Sequence, residues 1–241
     1  MNERITVLDH GYVRLVETWG HGDAGEPEAG IIEAARQSTQ GSFRGWDTDA
    51  KLLGFLFNNR PPHATPFEFA GMVIEVKAPI FVFREWHRHR TQSYNEMSAR
   101  YAPLPDDNYI PSIERIMLGA QATANKQAAA AAGATPLDID AAKVFRAQLR
   151  AGYARFGADY KWALDNGVPK ELARCGMPVG RYSQMRAATS LRNWLVTTDP
   201  PSGFESLVGD VAVLGDSGST GSSVALYHMP FQLTIDCPTC R

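Results

Sequence analysis

Residues 67–101 read FEFAGMVIEVKAPIFVFREWHRHRTQSYNEMSARY, and the way this stretch divides decides the fold. Its first part, Phe67 to Lys77, counts Phe69, Met72, Ile74 and Val76 among its apolar residues and predicts a strand. Ala78 to His87 predicts a helix. Pro79 suits the first helical turn, and Ile80, Phe81, Phe83 and Trp86 bury much of the surface around Arg84 and Arg88. Arg88 to Tyr101 is different. It holds Arg88, His89, Arg90, Arg100, Glu96, the amides Gln92 and Asn95 and several hydroxyls, with only Met97 and Ala99 plainly apolar. A buried charge must be paired or coordinated. The segment is therefore either a solvated helical face or the wall of a cleft for a phosphorylated, ring-bearing ligand. Guanidinium forks clamp phosphate bidentately, and amides and hydroxyls read heterocycle edges. A buried helix running straight into such a segment favours the cleft.

Working outward, residues 4–19 place Ile5, Val7, Val13 and Leu15 at alternating positions, predicting two short strands around His10-Gly11. Gly20 to Gly30 reads as a loop, and Ile31 to Gln37 as a short helix. Asp47 is the expected N-cap of a helix over Thr48–Asn59, stopped before Pro61-Pro62. Downstream, residues 103–111 form an extended loop with three prolines, and Leu118–Ala134 is an Ala-rich excursion. Pro136 opens the longest helix: Ile139, Ala142, Val144, Phe145, Leu149, Tyr153, Phe156 and Tyr160 recur at near-helical spacing until Asn166-Gly167. Pro169 starts a short helix, and Arg181–Val196 reads as another. The expected fold is α+β, a small antiparallel sheet packed with several helices. Residues 1–199 make the domain, and 200–241 a divergent Gly/Ser-rich tail.

A chain of 241 residues can bury a sizeable core. Its net charge of -2 gives no reason to expect a nucleic-acid polymer as partner, so the basic groups are a local site. No apolar run approaches membrane-spanning length, and the first residues lack a signal-peptide pattern. Three cysteines suit a reducing cytoplasm.

Arg88-His89-Arg90, then seven residues, then Ser98 matches the RHR-x7-S motif of the flavin-dependent thymidylate synthases, and the interior SYNE and trailing SARY match too. His63-Ala-Thr65-Pro66-Phe67-Glu68-Phe69 resembles that family's H-x-T-P-F-E-H segment. Val76–Val82 resembles its KAPIFVARQW run, and Val7–Val13 its first strand. The resemblance covers residues 5–195. It implies a one-carbon transfer from methylenetetrahydrofolate to C5 of dUMP or UMP, with NADPH reducing FAD, in a homotetramer whose sites are shared between chains. By the same resemblance, His63, Arg88 and Ser98 lie at the reaction centre, His63 shaping the folate face and Ser98 positioning the nucleotide. Thr65, Glu68, Arg88, His89, Arg90, Asn95, Glu96 and Asn193 correspond to flavin-binding positions. Glu85, Arg88, Glu96, Ser98, Ala99, Arg100 and Arg174 correspond to nucleotide-binding ones.

Two competing readings of single motifs are weaker. A nucleophilic Ser98 would need a base, an acid and an oxyanion hole, and no G-x-S-x-G surrounds it. Cys237-Pro-Thr-Cys240 is a CxxC, but a zinc site wants four ligands, and His228 and Cys175 are the only spare soft ones, so no metal is expected.

Three departures from the family stand out. Glu85 replaces the usual Gln before the Trp. Thr198 stands where the family has its essential uracil-binding arginine, with Arg181, Arg186 and Arg192 as nearby substitutes. Residues 200–241 carry strand-like patches in place of the expected helix, as genuine divergence or a shifted reading frame would produce. Glu85 bears on the substrate: an ionised carboxylate only accepts hydrogen bonds, and two ribose hydroxyls both donate. Over the sugar, Glu85 favours UMP; near the phosphate it repels the ligand unless Arg88 or Arg174 neutralises it. The expectation is that UMP is accepted alongside dUMP, as in the methylases that make thymine-type nucleosides for peptidyl-nucleoside antibiotics. Loss of the arginine leaves a second reading, a nucleotide- or flavin-binding relative impaired in turnover.

Overall fold

A computed structural model describes residues 4–58, 63–121 and 136–198. It contains a five-stranded sheet in the order β1-β2-β3-β5-β4: β1 Arg4–Val7, β2 Gly11–Trp19, β3 Gly71–Pro79, β4 Ser93–Glu96 and β5 Tyr182–Ser190. The pairs β1–β2, β2–β3 and β4–β5 run antiparallel. Among the described residues there are seven α-helices: α1 Pro27–Arg36, α2 Trp46–Asn58, α3 Ile80–Trp86, α4 Ile113–Gln121, α5 Ile139–Asp165, α6 Lys170–Ala173 and α7 Leu191–Thr198. The α+β expectation therefore holds.

The described residues fall into two compact units. One comprises residues 4–58, 63–78, 82–96 and 184–198, the other 79–81, 97–121 and 136–183. The first carries most of the sheet. Its strands bury Met72, Ile74, Val76, Met185 and Ala187, and Ile31, Phe83 and Trp194 are buried with them, while Arg14, Glu75 and Arg186 occupy the alternate, polar positions. That alternation is the signature of a sheet buried on one face. Gly71 marks a close approach: a Cβ there would come within 2.1 Å of the Trp19 ring and 2.5 Å of the Thr189 carbonyl oxygen. In the second unit α5 packs against α4 and α6. Asp138 caps α5 by accepting from the Ala141 N–H at 2.7 Å, and Gly167 follows its end at φ +77°.

Several boundaries move. The strand predicted from Phe67 begins at Gly71, because Thr65–Phe69 coils into a 3-10 turn. α1 starts at Pro27, inside the expected loop, with Pro27–Gly30 buried. Asp47 lies in the first turn of α2 and is not its cap. The largest correction is Arg181–Val196, which is strand β5 followed by α7, not one helix. Pairing with β4, Ser93 to Ala188 through Glu96 to Met185, and a place beside β3 override the helix-compatible Gln-Met-Arg-Ala-Ala run. Ile80 and Phe81 are only half-buried, with Val82, Phe83 and Trp86 forming the buried side of α3. Of the Ala-rich excursion, Leu118–Gln121 ends α4 and the rest lies outside the described residues, as do the tail 200–241 with Cys237, Cys240 and His228. Among the described residues no helix is long and apolar enough to cross a membrane.

Candidate functional site

In the sheet unit the cationic segment is a turn between α3 and β4. Helical bonding runs past Trp86: the His87 N–H donates to the Phe83 carbonyl at 2.9 Å, Arg88 to Glu85 at 3.0 Å and His89 to Trp86 at 2.9 Å. Tyr94 then closes the turn. Its hydroxyl donates to the carbonyls of His89 at 2.6 Å and Trp86 at 3.1 Å, and burial pushes its pKa up to about 12. The indole N–H of Trp86 donates to Gln92 at 2.9 Å, and its ring meets Trp194 edge-on at 6.4 Å. From β5 the Thr189 hydroxyl donates to the Thr91 carbonyl at 2.8 Å. The Asn193 amide of α7 reaches that carbonyl at 3.4 Å and Thr189 Oγ1 at 3.2 Å.

The consequence is a rigid turn with exposed heads. Glu85, Arg88, Arg90 and Asn95 are exposed to solvent, while His89 is half-buried. Burial holds the His89 imidazole below its ordinary pKa, so at neutral pH it is uncharged. The turn therefore offers two fixed cations flanking a neutral ring, suited to an extended anion with a heterocycle. Across the ladder, Asn95 lies opposite Arg186, so the two share a face.

A second group in this unit surrounds Glu68. The Ser190 hydroxyl donates to one carboxylate oxygen at 2.5 Å, and the Arg192 guanidinium to the other at 2.8 Å. Glu68 and Thr65 sit on the 3-10 turn, both exposed. His63 is exposed as well, with its ring stacked on Phe55 at a centroid distance of 5.7 Å. The polar positions of the sheet carry a further network. Glu75 accepts from Tyr12 at 3.0 Å and from Arg14 at 3.2 Å, with Arg186 at 3.4 Å, and Gln184 donates to Tyr12 at 2.8 Å. Burial pushes the Glu75 carboxyl up, but bonds from Arg14 and Tyr12 outweigh it and hold its pKa below the ordinary value.

In the helical unit Ser98, Ala99 and Arg100 occupy a tight turn. Ser98 accepts the Tyr101 N–H on its carbonyl at 3.0 Å and the Arg100 N–H on its hydroxyl at 3.3 Å. Ala99 is buried and Arg100 exposed. The α6 turn grips it: Lys170 donates to the Tyr101 carbonyl at 2.9 Å, and Glu171 lies 3.7 Å from Arg100 Nε. Half-buried Arg174 donates from Nε to the Glu171 carbonyl at 3.4 Å. Arg100 and Arg174, far apart in sequence, thus meet around one residue.

Within the sheet unit the structure gathers Arg88, His89, Arg90, Asn95 and Asn193 on one anchored turn, and Glu68 with α7. Within the helical unit it gathers Ser98, Ala99, Arg100 and Arg174. Tyr94, Thr189, Ser190, Lys170 and Glu171 were not singled out from sequence. Tyr94 had a signal, its place inside SYNE. Ser190 and Arg192 sit 122 and 124 residues from Glu68, beyond any local pattern.

The profile of the thymidylate synthase complementing protein family (Thy1) matches residues 14–199. A flavin-dependent thymidylate synthase of Anaplasma marginale is 36% identical over 195 residues, 81% of this chain and 62% of that protein. One from Thermus thermophilus is 39% identical over 189 residues, 78% and 63% of the two. The chain spans less than two thirds of these relatives. Among solved structures, a UMP/dUMP methylase PolB from Streptomyces cacaoi bound with 5-Br dUMP is similar with a TM-score of 0.59 at 30% identity, covering 78% of this chain and 76% of that one. Its complex with 5-Br UMP gives a TM-score of 0.56 at 25% identity, covering 76% and 73%.

Proposed function

The chain belongs to the thymidylate synthase complementing (Thy1) family of flavin-dependent thymidylate synthases, and from that premise we propose that it is a flavoenzyme methylating C5 of a uridine nucleotide. The observation that carries this reading is the Tyr94-closed turn, which holds Arg88 and Arg90 exposed around an uncharged His89. These residues fit FAD: cations for a pyrophosphate, and the amide of Asn95 and the imidazole of His89 for ring or ribose edges. When bound, FAD supplies the hydride and one-carbon relay, with NADPH as reductant and methylenetetrahydrofolate as carbon donor. The protein's share is orientation and charge. Thr65, Glu68, Glu96 and Asn193 complete the flavin side and His63 the folate side. Ser98, Ala99, Arg100 and Arg174 take the nucleotide, with Ser98 positioning it.

We further assign the role left open at Thr198 to Arg186. Arg181 is buried and committed to Asp106 at 2.5 Å, and Arg192 is committed to Glu68. Arg186 is exposed beside Asn95 and held by Glu75 only at 3.4 Å. Exposed Glu85, an acceptor for two ribose hydroxyls, supports use of UMP alongside dUMP, the chemistry named for the Streptomyces neighbour. A cytoplasmic homotetramer with shared sites accords with exposed Phe145, Phe156 and Trp162 along α5. Residues 1–199 form the working domain in this reading, and 200–241 an appended tail.

The test is a single-turnover reaction with labelled methylenetetrahydrofolate and either nucleotide. Purified protein should be yellow, oxidise NADPH faster with nucleotide and label C5. A colourless protein that takes up no FAD on reconstitution would end this reading. Binding with no methylated product would favour the impaired relative, since losing one charged transition-state contact removes about 10²–10³ in rate.

A further inference from the structure

We propose that Glu171 competes with the nucleotide's phosphate for Arg100, and so sets nucleotide affinity and its dependence on salt; this rests on the nucleotide-binding reading above. Three cations, Arg100, Lys170 and Arg174, gather around Glu171 and the turn it faces. Their roles differ. Lys170 is spent on the Tyr101 carbonyl at 2.9 Å and fixes the turn that also carries Ser98. Arg174 bonds the backbone of Glu171, not its carboxylate. The Glu171 carboxylate therefore engages Arg100, through Nε at 3.7 Å, a one-point contact between side chains that are 64% and 56% exposed. An exposed, one-point ion pair is weak. A phosphate monoester carries nearly two charges at neutral pH and can take a guanidinium bidentately. Arg100 therefore transfers to phosphate, and Glu171 is left beside an anion it repels. The carboxylate lowers affinity, and salt, by screening, lowers the penalty.

Calorimetric titration of wild type, Glu171→Gln and Glu171→Ala with dUMP, inorganic phosphate and deoxyuridine separates the possibilities. Glu171→Gln should tighten dUMP about threefold to tenfold at low salt, and the gain should shrink towards nothing at about 0.5 M salt. Inorganic phosphate should follow dUMP, deoxyuridine should bind all three proteins alike, and Glu171→Ala should move in the same direction. Wild type that binds dUMP while both variants bind it equally or more weakly would overturn this inference alone, showing a carboxylate that orients Arg100. Wild type that binds no nucleotide would overturn the functional reading and this inference with it.

Discussion

The turn Arg88–Glu96 in the sheet unit and the turn Ser98–Tyr101 in the helical unit both present cations, but they are held by different physics. The first is tied by Tyr94 to two carbonyls, by Thr189 and Asn193 to Thr91, and by Trp86 to the core. The second is held by its own turn bonds and by exposed contacts from Lys170 and Glu171. Hydrogen bonds made by half-buried groups are costly to break, whereas exposed ion pairs exchange at little cost. The contrast suits the proposed roles. A cofactor that stays bound gains from a preorganised wall, and a substrate that enters and leaves gains from an adjustable anion clamp.

Trp86→Ala strikes the anchored turn hardest. It should destabilise by about 3–5 kcal/mol in urea unfolding; a loss under about 1 kcal/mol would mean the turn does not depend on the core. Arg174→Ala should show the opposite profile. Nucleotide affinity should fall by about 2 kcal/mol, roughly thirtyfold, with stability within about 0.5 kcal/mol of wild type. Equal losses in folding and binding would erase the distinction between the two turns. Tyr94→Phe leaves the His89 carbonyl without this donor and the Trp86 carbonyl with only the His89 N–H, and should cost about 1–2 kcal/mol, weakening FAD retention more than dUMP binding.

Acid should probe the sheet unit next. Asp49 is buried, which raises its carboxyl, but the Arg44 backbone N–H and the Arg36 guanidinium outweigh burial and hold it below its ordinary pKa, as Arg14 and Tyr12 do for Glu75. Depressed carboxyls stabilise above their unfolded value near 4. That contribution disappears as pH falls through the lower folded values, so urea midpoints should drop below about pH 4 and Glu75→Gln should flatten the drop. His89, kept neutral by burial, acts earlier. Below about pH 6.5 the unfolded chain takes up a proton that the native chain resists, so stability declines from there. A midpoint flat from about pH 7 to 5 would show that His89 is not shielded. The smallest effect belongs to Glu85→Gln, which should shift selectivity towards dUMP by about threefold to tenfold, near 1 kcal/mol, in competition between UMP and dUMP. An unchanged ratio would show that residue 85 does not read the sugar.

The amino-acid sequence by itself determined the elements whose signals are local. The hairpin around His10-Gly11, the long helix between Asp138 and Gly167, and the cationic segment with its family resemblance could all be read from neighbouring residues. Only the tertiary structure decided β5, since Gln-Met-Arg-Ala-Ala is compatible with a helix until β3 and β4 bond it from both sides. The same holds for β4, a four-residue strand that exists through pairing with β5. It also holds for the partners of the site. Glu68 meets Ser190 and Arg192, and Arg100 meets Glu171, because folding brings distant segments together. Periodicity and capping act over a few residues, whereas a strand's place in a sheet and a charge's partner depend on chain closure over many.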